Sequence, residues 1–217
     1  MSITKIFVAG INHYDPSCRS QLIDWLNCLR ATNSTAPSFI AVEASKRLYP
    51  KLQHQRDLFR QLAMTEFPGV SQEVIDTLVF TIYYEADSHL EVFPDAEVIW
   101  LDEDRPVNEY DELNNFAQVR LNIYKQHFVA GGNILMQISE SEWDNEWERA
   151  PTTPLGEPDY HRDFRFHEII SRAMSSRNGD YAIAIMGASH AANRINSVLA
   201  LLENDGITCN VNILKAA

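Results

Sequence analysis

Ala182-Ile183-Ala184-Ile185-Met186-Gly187-Ala188-Ser189-His190 is a β-like apolar run that stops at a glycine and delivers a histidine three places later. The same device stands near the start of the chain, where Ile6-Phe7-Val8-Ala9 runs into Gly10-Ile11-Asn12-His13. Helix-like sequence follows each copy. A glycine closing a strand is expected to let the backbone turn sharply, which sets the histidine at the mouth of the sheet, where ligands collect in open α/β folds. A third run, Ser38-Phe39-Ile40-Ala41-Val42, ends in Glu43. Glutamate is poorly suited to a strand and costly to bury, so a carboxylate at a strand's exit asks for a function.

Working outward, strand and helix patterns alternate. A strand at about 4–9 precedes a helix from Pro16 to Arg30, with Leu22, Ile23, Leu26 and Leu29 on one face and Asp15-Pro16 as its opening. The strand at about 38–43 is followed by a polar helical stretch over 45–63. Ser71-Gln72-Glu73 reads as a cap on a helix that carries Val74, Ile75, Leu78 and Ile82 and runs to His89. A strand at 97–101 ends in Asp102, and helical spacing resumes over 107–128. Gly131-Gly132 breaks the pattern, and the acidic stretch 139–159, with Trp143, Trp147 and three prolines, has neither period. A helix over 160–177, a strand over 180–186, a helix over 190–204, the stop Asn204-Asp205-Gly206 and a strand over 207–213 complete the chain. The expectation is one α/β domain spanning 1–217, with a mostly parallel central sheet flanked by helices and an irregular loop or lid over about 131–159.

With 217 residues, 45% of them hydrophobic and 22% charged, the chain can bury a sizeable core. A net charge of −12 argues against nucleic acid and anionic membranes as partners, because no basic surplus exists to neutralise phosphates. No run reaches the roughly 18–20 apolar residues of a membrane span, and no secretory leader is recognised. Cys18, Cys28 and Cys209 lack metal spacing and read as free thiols of a reducing compartment, so a cytoplasmic location is expected. No phosphate-binding loop occurs, and Ser189 does not sit in a nucleophile elbow.

Two imidazoles and a carboxylate form a common first shell for a divalent metal, so His13, Glu43 and His190 are the candidate ligands. A metal held this way lowers the pKa of bound water towards ~7 and makes a nucleophile at neutral pH. The competing reading is that each histidine caps the helix after it. Glu85 and His89, four apart, share a helical face; a surface pair is the simpler expectation, a general base or second metal pair the sharper one.

The order strand–G-x-x-H, strand–Glu, strand–Asp, strand–G-x-x-H–helix resembles the TraB/PrgY/Tiki (GumN-like) proteins, within the wider group of erythromycin esterases and ChaN haem-binding proteins. Gly10 and His13 match the family's first G-x-x-H, Gly187 and His190 its second, and Glu43 its glutamate after the second strand. Glu85 resembles the family's glutamate before the third strand. Asp102, with Arg105, resembles its Asp-Arg pair, although Glu103 and Asp104 intervene here. Of Arg165, Arg172 and Arg177, Arg172 is taken for the family's arginine ahead of the second motif. The resemblance implies an EreA/ChaN-like fold and a metal-dependent hydrolase of peptide or ester bonds. Its cofactor would be a divalent ion (manganese, cobalt or zinc) and its substrate a peptide or small molecule, with Glu43, Glu85 and Arg172 as catalytic residues. The alternative is a non-catalytic protein that uses the same cleft for a peptide, haem or another small ligand.

Overall fold

The computed structural model describes residues 2–13, 15, 17–47, 49–103, 116–129, 160–192 and 194–214. The irregular stretch 131–159 with its tryptophans, the start of the helix expected from 107, Pro16 and Arg105 lie outside the described residues.

Each β-like run forms a strand: β1 (Lys5–Ile11), β2 (Ile40–Val42), β3 (Val98–Trp100), β4 (Ala182–Gly187) and β5 (Thr208–Ile213). They make one sheet in the order β3-β2-β4-β1-β5, and every pairing is parallel. The fold is therefore α/β. Six helices accompany the strands among the described residues: α1 (Ser17–Thr32), α2 (Tyr49–Glu66), α3 (Gln72–Phe80), α4 (Phe116–Val129), α5 (His161–Ser176) and α6 (Val198–Asn204).

Side chains alternate across a strand, which sorts the apolar runs into two cores. Ala9, Ile11, Ile40, Val42, Ile183 and Ile185 face Leu22, Leu26 and Leu29 of α1. Ile6, Val8, Phe39, Ala41, Ala182, Ala184 and Met186 face Phe166 and Ile170 of α5 and Val198 and Leu202 of α6. Both faces of β4 are thus covered, which is why its sequence runs apolar without a polar break. A third cluster, Phe59, Ala63, Leu78, Val79, Leu121 and Tyr124, joins α2, α3 and α4.

The connection leaving β1 runs through α1 on one face, and that leaving β4 runs through α6 on the other. Adjacent strands whose connections part in this way open a crevice at their carboxyl ends, the usual ligand position in this class of fold. The register places Gly10 beside Met186 and Ile11 beside Gly187, so the two G-x-x-H motifs leave the sheet side by side.

Three expectations need correction. The helix expected to run to His89 ends at Phe80, and two 3-10 turns follow, Tyr84–Ala86 and Ser88–Glu91. Tyr83 has φ +48, a left-handed conformation that no helix continues through. The helix expected from 190 begins at Val198, where Ser197 caps it by accepting from the Ala200 N–H; before it, the His190 carbonyl accepts from the Val198 N–H at 3.2 Å. Neither motif glycine has a positive φ, so neither serves to turn the chain left-handed. Their requirement is space. A Cβ on Gly10 would meet Ile213 Cδ1 at 2.1 Å and Ala191 Cβ at 3.3 Å, and one on Gly187 would meet His13 Nε2 at 3.1 Å.

Candidate functional site at the carboxyl edge of the sheet

Four neighbouring strand exits build the site. Glu43 follows β2, with its N–H donating to the Ile185 carbonyl, and Asp102 follows β3, with its N–H donating to the Ala44 carbonyl. His13 and His190 arrive on the loops after β1 and β4. Adjacent strands lie about 4.8 Å apart, within reach of these side chains.

Glu43 stands at the centre, nearly buried. His13 Nε2 lies 3.8 Å from its Oε2, and His190 Nε2 lies 3.6 Å from its Oε1. The N–H of Gly187 donates to Oε2 at 2.5 Å, so a glycine of the second motif also orients the carboxylate. The two histidines that are 177 positions apart in sequence converge on one carboxylate.

Each imidazole is held from behind. His13 Nδ1 lies 3.1 Å from Glu85 Oε1, and His190 Nδ1 lies 3.0 Å from Asp163 Oδ1. A carboxylate on the far nitrogen fixes a ring's orientation and turns Nε2 towards the site, as it does for metal-binding histidines. Glu85 is fully buried, and no other donor hydrogen-bonds either of its oxygens among the described residues. Glu85 and His89 are both buried, so the expected surface pair is overturned. Tyr84, Glu85, Ala86, Ser88 and His89 of the two 3-10 turns are all buried.

Arg162, at the start of α5, donates from Nη2 to Glu43 Oε1 at 2.7 Å and to Asp102 Oδ2 at 2.9 Å. Arg194 donates from Nη2 to Asp163 Oδ2 at 2.8 Å and to the Ser189 carbonyl at 2.9 Å. Positive and negative groups therefore alternate from Glu85 through His13, Glu43, Arg162 and Asp102, with a branch through His190 and Asp163 to Arg194.

This alternation governs ionisation. Burial opposes a charge on His13, but Glu85 and then Glu43 outweigh it and lift the imidazole to about 9. His190 is raised against the same burial cost by Glu43 and Asp163. Burial likewise opposes ionising Glu43, yet Arg162 and the two histidines hold it well below the ordinary carboxylate range. For His89 burial outweighs the opposing pull of Asp87 and the Glu85 backbone and lowers it to about 4, so its imidazole is neutral.

The structure brings together His13, Glu43, Glu85, Asp102 and His190, with Gly187 against them and Gly10 one strand register away. It does not bring Arg172. That residue is exposed on α5, ten residues beyond Arg162 and so about 15 Å further along the axis, while Arg177 pairs with Glu97 where β3 begins. The arginine at the site is Arg162, which the sequence reading passed over together with Asp163 and Arg194. One signal was present: Asp163 shares the buried stripe of α5 with Phe166, Ile170 and Ala173, and a carboxylate in an apolar stripe requires a partner.

The donor types suit a divalent ion: two ε-nitrogens and a carboxylate meet, with both histidines supported through Nδ1. Among the described residues, however, no three His, Cys, Asp or Glu side chains are arranged as a ready metal cage. The cation on Glu43 is the guanidinium of Arg162. No helix of the described residues is long and apolar enough to cross a membrane. No family model matches this chain, and neither a curated protein nor a solved structure does.

Proposed function

We propose that the chain is a metal-dependent hydrolase of the TraB/Tiki type that cleaves a peptide or ester bond, with His13, Glu43 and His190 as ligands of one divalent ion. The observation that carries this reading is the convergence of both ε-nitrogens on Glu43 while each δ-nitrogen is held by its own carboxylate. A bound ion of this kind polarises a carbonyl and supplies hydroxide near neutral pH. The protein's own part is then to orient and to hold charge. Glu85 and Asp163 fix the two rings. Arg162 spans Glu43 and Asp102, and its guanidinium would offer a positive partner to an oxyanion.

Elemental analysis of the purified protein, followed by titration with manganese, cobalt and zinc, tests this directly. One equivalent bound by the native chain, and lost in a His13→Ala/His190→Ala double variant that stays folded, is the expected result. Absence of binding in the native chain would sink the hydrolase reading. A second reading, a non-catalytic cleft for a peptide, haem or another small ligand, is favoured by one observation: Arg162 already neutralises Glu43. A Soret band on haem reconstitution without added metal would turn the choice to it.

A further inference from the structure

Arg56 lies on α2, outside all the strand exits, and is only 7% exposed. Its guanidinium closes on one short turn. Nε donates to the Ile82 carbonyl at 2.9 Å, and Nη2 donates to the same carbonyl at 2.7 Å and to that of Tyr83 at 3.1 Å. The Asp87 carboxylate completes the clamp, taking Nη2 at 3.2 Å and Nη1 on its other oxygen. An arginine's planar fork suits such a set of acceptors, and a lysine's point charge does not.

The clamped turn is a strained one. Tyr83 is held at φ +48, and a side chain with a Cβ enters that region at a cost of about 1 kcal/mol or more, so it persists only where the surroundings impose it. Beyond Tyr83 the chain meets the site at once. The Tyr84 hydroxyl donates to the Asn12 carbonyl at 3.1 Å, inside the first G-x-x-H motif, and Glu85 faces His13 Nδ1. Among the described residues Glu85 has no other donor to steer it. Its place under the imidazole is set by the backbone that carries it.

We propose that Arg56 is a positioning residue for the His13 half of the site: it fixes the left-handed turn at Tyr83 and so presents Glu85 to His13. The proposal rests on the reading of His13 as part of a functional site, and it acts through Glu85 with no contact to a substrate. His190 is the internal control, because its carboxylate, Asp163, comes from α5 and owes nothing to this turn.

The test compares ring-nitrogen resonances of His13 and His190 in 15N-labelled protein, native and Arg56→Met, together with manganese affinity by calorimetry. The expected result is that His13 resonances move and those of His190 stay, and that manganese binding weakens about 10–100-fold, the usual loss when the support behind a ligand is removed. Unchanged His13 resonances in a variant whose melting temperature has fallen would overturn the proposal and leave Arg56 as a packing residue. If Arg56→Met does not fold, Arg56→Lys and Asp87→Asn decide. The lysine is expected to move His13 as well, because it cannot span both carbonyls, whereas Asp87→Asn keeps the bonds to Ile82 and Tyr83 and is expected to leave His13 nearly in place; the reverse order would overturn the proposal. Failure of the native chain to take up manganese would count against the hydrolase reading alone, since the resonances still decide the role of Arg56.

Discussion

Glu43 shows at the scale of one residue how a costly placement is balanced. A nearly buried carboxylate between two imidazoles and a guanidinium is tolerable because each neighbour carries or can carry the opposite charge. Removing one partner should therefore cost more than any single contact is worth. Asp163→Ala leaves Arg194 and His190 without their shared carboxylate; urea denaturation is expected to show a loss of about 3–5 kcal/mol, and Asp163→Asn a smaller one, because the amide still accepts a hydrogen bond. A loss within 0.5 kcal/mol would show that the pair is not buried in solution. Gly187→Ala tests space rather than charge. The added methyl would stand 3.1 Å from His13 Nε2 and 3.3 Å from Glu43 Oε2, so a destabilisation of about 1–3 kcal/mol is expected, with the His13 ring resonances displaced. Gly10→Ala meets the flexible end of Ile213 and the Ala191 methyl at 3.3 Å instead, neither of them part of His13, and should leave the His13 ring undisturbed.

At the scale of elements, the helices divide by what ends them. α3 starts where Ser71 accepts from the Val74 N–H, as the sequence cap indicated, and Ser71→Ala is expected to cost about 1 kcal/mol in thermal unfolding. The apolar face of α1 was readable at Leu22, Leu26 and Leu29, all of which pack on the sheet, and Leu26→Ala should cost about 2–5 kcal/mol in the same measurement. The end of α3 was not readable. Apolar residues continue at helical spacing through Ile82; the chain leaves the helix at the left-handed Tyr83, and Arg56, far away in sequence, holds the carbonyls of Ile82 and Tyr83 there. The short helix α6 starts late for a similar reason, since the loop after His190 carries Arg194 back to Asp163 before the helix begins.

For the whole molecule, the histidines set opposite limits of pH stability. His89 is buried neutral and lowered to about 4, so its contribution is complete above the ordinary histidine range near 6.5 and is lost as the pH falls from there towards 4. His13 is raised to about 9, so its contribution is complete below 6.5 and is lost as the pH rises towards 9. Chelator-treated protein should therefore be most stable near neutrality, with His89→Gln flattening the acid limb and His13→Gln reducing the alkaline limb, which the raised His190 shares, in denaturation measured from pH 4.5 to 9.5. A His89→Gln variant with the native acid limb would show that His89 is hydrated. The sequence by itself determined the strands, their apolar alternation into an α/β sheet and the candidacy of His13, Glu43 and His190, because these rest on local pattern and on what a strand exit can carry. Only the tertiary structure decided that the histidines meet, that Glu85 and Asp163 stand behind them and that Arg162 rather than Arg172 serves Glu43. Strand order and register are long-range choices: placing β4 between β2 and β1 brings residues from both ends of the chain to one edge, and no local pattern encodes which strands become neighbours.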